Sequence, residues 1–176
     1  MKIILTFLLS VVVLFGTAQV ILHYKNQKTE KVKYKVLKAY DEFEIRSYPE
    51  RIVASTVCGT GKYESNSGKG FRKIAGYIFG GHEDNKQIAM TSPVKLTLGD
   101  TMEMSFYMPE EYEPADLPKP NNSSVKIDKD EKQIIAAITF GGWANQEEID
   151  FYKNKLIKLL KKKGLKHNND FAFLGY

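Results

Sequence analysis

Sliding the 176-residue chain against itself by 82 residues lays one strand-turn-strand segment on another. Phe43–Gly59, "FEIRSYPERIVASTVCG", falls on Val125–Gly141, "VKIDKDEKQIIAAITFG". Phe43 meets Val125, Ile45 meets Ile127, Ile52 meets Ile134, Ala54 meets Ala136 and Gly59 meets Gly141. Each copy alternates apolar and polar residues, breaks at a polar turn and resumes as a second strand. A chain that repeats this unit must bury two similar sheet faces, which restricts it to a few two-layer arrangements.

Each copy then runs into a helix. Phe71, Ile74, Ala75 and Ile78 recur at helical spacing before Gly80-Gly81, although glycines 68, 70 and 76 lie inside the run. In the second copy Asn145 stands three residues before Glu148, as in a capping box. Ile149, Tyr152, Leu156, Leu159 and Leu160 line one face, and Lys153, Lys158 and Lys161 to Lys163 crowd the other face and the C-terminal end. The same offset carries Ile74 to Leu156 and Ile78 to Leu160, and an offset of 83 carries "QIAM" (87–90) towards "FAFLGY" (171–176). "QIAM" is therefore expected to be the strand that returns after the first helix. Gly99-Asp100 between "VKLTL" and "MEMSFYM" is a hairpin turn signal, and Pro114, Pro118 and Pro120 mark a long surface connection. The expected fold is α+β: duplicated strand-strand-helix-strand halves, about 43–90 and 125–173, with one helix per half covering a largely antiparallel sheet or barrel.

Charge and composition narrow the function. The net charge is +5, but +4 of it lies within residues 1–33, so the remaining 143 residues carry only +1. A nucleic-acid binder concentrates Lys and Arg on its folded face, so nucleic acid is not expected as a partner. The single cysteine, Cys58, excludes an intrachain disulfide, a four-cysteine zinc site and a covalent haem attachment motif. It reads as a small buried hydrophobe at the end of a strand. Ile3 to Leu22 is an apolar run of 20 residues after Lys2, with Gly16-Thr17-Ala18 resembling a small-residue cleavage site. We expect residues 1–22 to be a signal peptide or membrane anchor, 23–33 a linker and 34–176 the folded domain. The protein is then exported, as a periplasmic or membrane-anchored chain.

Catalytic signatures fail on inspection. Gly59–Gly70 lacks the spacing of a phosphate-binding loop, and the chain has no Gly-x-Ser-x-Gly elbow. His82 and His167 follow the two helices and are expected in solvated loops, without metal-ligand spacing. No catalytic group and no metal ligand is expected, and the protein is read as a non-enzyme. The positive feature is the apolar stripe Phe71, Ile74, Ala75 and Ile78, flanked by Arg72 and Lys73. Such a stripe is ordinarily core; as a ligand face, its two cations would meet the carboxylates of an anionic ligand. Met90, in "AMTSPV", is an adaptable apolar filler before the rigid Pro93 and a second candidate for lining a site.

Six ordered blocks, "FEIRSYPERIVAS", "GFRKIAGYIFGG", "IAMTSPV", "MSFYMPEEY", "LPKPN" and "ITFGGWA", resemble the SOUL/haem-binding-protein family over about residues 33–176. The resemblance implies a distorted eight-stranded β-barrel with two flanking helices, and non-covalent binding of haem or another tetrapyrrole. On that basis the expected ligand-binding residues are Phe71, Arg72, Lys73, Ile74, Ala75, Ile78 and Met90. Ser47 stands where some family members carry a histidine considered as a haem ligand, so axial ligation there is lost. Relatives continue past the equivalent of Tyr176, so a C-terminal strand is expected to be missing. Two other readings stand beside this one: a module binding a different apolar ligand or a protein partner, and an enzyme acting on a small molecule.

Overall fold

The computed structural model describes residues 29–176, and it contains the strand pair expected in each half. β1 (Glu30–Lys31) is followed by β2 (Lys35–Ala39), β3 (Glu44–Tyr48) and β4 (Arg51–Gly59), then by helix α1 (Tyr63–Ile78). β5 (Thr91–Ser92), β6 (Val94–Leu98), β7 (Met102–Tyr107), β8 (Val125–Asp130) and β9 (Gln133–Ala137) precede helix α2 (Gln146–Lys162) and β10 (Phe171–Gly175). The class is α+β, with two helices and ten strands among the described residues. The expected leader and most of the linker lie outside those residues. No helix among the described residues is long and apolar enough to cross a membrane.

Two sheets carry the architecture. One has the order β10-β6-β7-β4-β8 and the other β2-β3-β9, with every pairing antiparallel. β4 is flanked on both sides, by β7 and β8, and residues Val53 to Thr56 are all buried. That explains its near-continuous apolar and small-residue run. The β4–β8 register pairs Ile52 with Lys129 and Ser55 with Lys126; the β3–β9 register pairs Ser47 with Ile134 and Glu44 with Ala137. Gly99-Asp100 makes the β6–β7 hairpin as the sequence predicts.

α1 packs on the larger sheet. Ile74, Tyr77 and Ile78 join Ala54, Leu96, Met104 and Phe106 in one apolar cluster, and each such side chain is worth about 1.5–3 kcal/mol once removed from water. α2 packs Leu156 and Leu160 on Phe43, with Ile45 and Ala136 beside them, over the smaller sheet. Val32, Tyr48, Val53 and Tyr107 form a third cluster that joins strands of the two sheets. Asn145 caps α2 by accepting from the Glu148 amide at 2.9 Å, as its spacing predicts. α1 has no side-chain cap from its own N-cap residue, Lys62. Gln146 supplies the acceptor instead: its Oε1 takes the Tyr63 amide at 2.8 Å, while Glu64 Oε1 takes the Gln146 amide at 2.8 Å. Each helix start thus caps the other.

Two expectations about the segment after α1 are corrected. "QIAM" is not a strand. Gly80 (φ +101°) and Asn85 (φ +52°) turn the chain back onto the helix end, and the Ile88 amide donates to Ile78 O at 2.9 Å. An amide spent on a helix carbonyl is lost to a ladder, and strand structure resumes only at Thr91. His82 is not solvated either: it is 0% exposed, its Nε2 lies 2.8 Å from Lys86 O, and its ring meets Tyr77 edge-on. The Tyr77 hydroxyl donates to Pro118 O at 3.0 Å, and the Asn121 amide donates to Gly81 O. The post-helix loop and the proline-rich connection therefore close over each other.

Candidate functional site

Three glycines decide how α1 meets its surroundings. At Gly70 a Cβ would lie 2.3 Å from Cys58 Sγ and 3.2 Å from Met104 Cβ, so only glycine lets the helix approach β4 and β7 this closely. Among the described residues, Gly76 has nothing within 4 Å of its would-be Cβ, and Gly68 meets only the Arg72 side chain. The side of α1 away from the sheet is therefore low and open, with Arg72 and Phe79 rising from it.

The seven residues expected at the site divide between two layers. Ile74 and Ile78 are 0% exposed and Ala75 is also buried, because the stripe that the sequence shows is the one facing the sheet. Phe71 sits at the edge of that stripe, 41% exposed, its ring 5.3 Å from that of Phe106. Arg72 is exposed on the outer side, and Lys73 Nζ donates to Val57 O at 3.4 Å. Met90 is exposed in the loop before β5. The structure thus brings Phe71 and Arg72 to the surface of one helix and seats Ile74, Ala75 and Ile78 beneath them.

Sequence reading missed Phe79. It is 58% exposed and follows Arg72 by seven residues, which returns it to the same outer face. The signal was available: an aromatic at the end of a helix, out of phase with the apolar stripe. Ser47 lies in β3, paired with Lys35 and Ile134. His167 is exposed, with Nδ1 against Asn168 O. Cys58 is only partly buried, but burial still pushes its thiol up, away from the reactive thiolate form.

Two concave surfaces lie elsewhere. A cleft of about 250 Å³ separates the β3–β4 turn from the segment after β7; Arg51, Tyr112 and Lys129 are among its walls. It is smaller than the roughly 300–1,000 Å³ of pockets that enclose drug-sized ligands. A groove of about 410 Å³ runs along α2 beside Phe151, Asn154, Lys155 and Lys158. Neither contains any of the seven expected residues. Among the described residues no group of three or more His, Cys, Asp or Glu side chains is arranged to hold a metal.

Comparison with known proteins identifies the family. The chain is 28% identical over 143 residues to Heme-binding protein 2 of Mus musculus, spanning 76% of this chain and 69% of that protein. It is 25% identical over 142 residues to Heme-binding protein 1 of Xenopus laevis, spanning 76% and 74%. Residues 29–176, the whole of the described region, match the family described as SOUL heme-binding protein, and the chain belongs to that family.

Proposed function

We propose that this protein binds haem or a related tetrapyrrole non-covalently, as a carrier or sensor and not as an enzyme. The observation that carries the reading is the family match across residues 29–176. The exposed side of α1 is the surface we assign to the ligand. Phe71 and Phe79 supply aromatic faces, Gly76 leaves the helix low enough for a flat macrocycle, and Met90 offers an exposed, adaptable side chain in the following loop. Arg72 and Lys73 stand where propionates would be met. Ile74, Ala75 and Ile78 hold the platform on the sheet.

Apolar contact supplies most of the affinity in this reading. Covering roughly 200 Å² of apolar surface is worth about 5 kcal/mol, part of it offset by lost freedom of the ligand. Each exposed cation-propionate pair adds only about 0–1 kcal/mol. Two further parts of the proposal concern the chain as a whole: residues 34–176 are the binding domain, closed as a distorted barrel, and the N-terminal apolar run takes the protein to the envelope.

The halves are read as a duplication, and the strand registers support it. Adding 82 to one partner of a β3–β9 pair and subtracting 82 from the other gives a β4–β8 pair. Glu44↔Ala137 becomes Lys126↔Ser55, and Ser47↔Ile134 becomes Lys129↔Ile52. The mutual capping obeys the same offset, since Glu64 and Gln146 are 82 residues apart.

Hemin titration followed in the visible spectrum tests the binding. A saturable Soret change that survives His167→Ala is expected. Titration without saturation would reject tetrapyrrole binding, and loss of a low-spin spectrum in that variant would reject contact-dominated binding.

A further inference from the structure

We propose that the outer face of α2 docks on the anionic surface of a phospholipid bilayer, with Trp143 and Phe151 entering the headgroup layer. Charge is the first observation. Between residues 153 and 166 stand seven lysines and no acidic residue, while the rest of 34–176 holds 14 basic residues against 20 acidic ones. A nearly neutral domain thus gathers its positive charge on one helix and the turn after it. Lys161 and Lys162 complement the helix dipole, but two residues would serve that purpose.

The second observation is aromatic. Trp143, two residues before the N-cap Asn145, is 94% exposed, and Phe151 is 61% exposed on the solvent side of α2. The helix already buries its apolar stripe, Ile149, Leu156 and Leu160, so Phe151 belongs to a second face. Helical spacing puts Lys155, Lys158 and Lys162 on that face, and Phe151, Lys155 and Lys158 line one shallow groove. Lys155 pairs with Glu42 at 2.6 Å, so the unpaired positive charge of this face comes chiefly from Lys158 and Lys162. Lys38 and Lys163 place their ammonium groups 5.0 and 5.5 Å from the Tyr40 ring, extending the basic surface past the helix end.

Lysine beside tryptophan and phenylalanine on a helix that lies flat is the composition of an interfacial helix. A nucleic acid would be met by the lysines but gives no reason for a tryptophan 94% exposed to water just before the helix. A headgroup layer gives one, because indole prefers that zone. The carboxylates at the start of α2 oppose the contact, so the lysine-rich end approaches first.

The test uses the full chain with phosphatidylcholine vesicles, with and without phosphatidylglycerol. Trp143 is the protein's one tryptophan, so its fluorescence reports this loop alone. On anionic vesicles its emission should shift to shorter wavelength and its quenching by acrylamide should fall; added salt should reverse both. Each lysine removed should weaken binding about fivefold, so Lys158→Ala, Lys161→Ala and Lys162→Ala together should weaken it about 100-fold. These positions are exposed, and circular dichroism should show an unchanged fold. Binding through the N-terminal apolar run would persist on neutral vesicles, ignore the lysines and leave Trp143 unmoved. That outcome, an absence of vesicle binding, or a response to RNA without one to lipid, would overturn the proposal.

Discussion

Gly70 and Gly76 occupy the same helix, and the same substitution should have opposite effects at the two. In a solvent-exposed helix interior, Gly→Ala gains about 1 kcal/mol. Gly76 meets that condition, with open space around its would-be Cβ, so Gly76→Ala should stabilise by about that amount. At Gly70 the new methyl overlaps Cys58 Sγ at 2.3 Å and crowds Met104 Cβ at 3.2 Å and Sδ at 3.4 Å. The thiol can rotate away, giving up a weak contact with Thr56 O at 3.7 Å, but Met104 Cβ sits on the β7 backbone. Overpacking of this kind costs about 1–3 kcal/mol, which exceeds the helix gain. Gly70→Ala should therefore destabilise by up to about 2 kcal/mol and stand about 1–3 kcal/mol below Gly76→Ala. Urea denaturation of both variants, at a common slope, measures the gap. Adding Cys58→Ala to Gly70→Ala should recover part of the loss, giving a coupling of about 1 kcal/mol. Equal stability of the two variants, or strict additivity with Cys58→Ala, would refute the close approach of α1 to the sheet.

Burial raises the Tyr77 pKa from about 10 to about 12, so the neutral phenol is favoured in the folded state. Its contribution is complete below the unfolded pKa near 10 and is lost as pH rises towards 12; Tyr77→Phe should flatten that part of the stability-pH curve, and an unchanged slope would contradict the burial. Asp130 accepts from Lys95 at 2.7 Å, from Tyr107 at 3.0 Å and from Gln133 at 2.7 Å. Asp130→Ala leaves those donors unpaired at a half-buried position and should cost about 2 kcal/mol by denaturant titration. On the surface proposed for the ligand, Phe71→Ala and Phe79→Ala should each weaken haem binding about tenfold, and Arg72→Ala less than about fivefold while reducing its salt dependence, all by Soret titration. Stronger loss from Arg72 than from both aromatics would reverse the assigned order of forces.

Periodicity carried most of the fold. The strand pair in each half, both helices, the β6–β7 hairpin and the Asn145 cap all follow from local spacing and turn chemistry, signals confined to a few neighbouring residues. The failures sit where a backbone group had two possible partners. "QIAM" alternates well enough for a strand, yet the Ile88 amide is taken by Ile78 O, a choice made by the turn at Gly80 and Asn85 and invisible in the apolar pattern. His82 looked like an exposed loop residue because its cover, Tyr77 and the connection at Pro118–Asn121, comes from elsewhere in the chain.

The site was legible to a lesser degree, and for a geometric reason. A helical apolar stripe identifies the face that will be buried but not what buries it. Ile74 and Ile78 satisfy the stripe by facing the sheet, so the surface proposed for the ligand rests on Phe71, at the exposed edge of the stripe, and on Phe79, which breaks its phase. The same rule applies to α2, where Ile149, Leu156 and Leu160 follow the stripe and Phe151 departs from it. In both helices the aromatic that does not fit the core period is the one left facing outward, beside basic side chains. An amphipathic helix needs no aromatic on its polar face for stability, and exposing one forgoes its burial energy. Phe79, one helical repeat from Arg72, and Phe151, beside Lys155 and Lys158, are therefore the side chains on which the proposed ligand and bilayer surfaces rest.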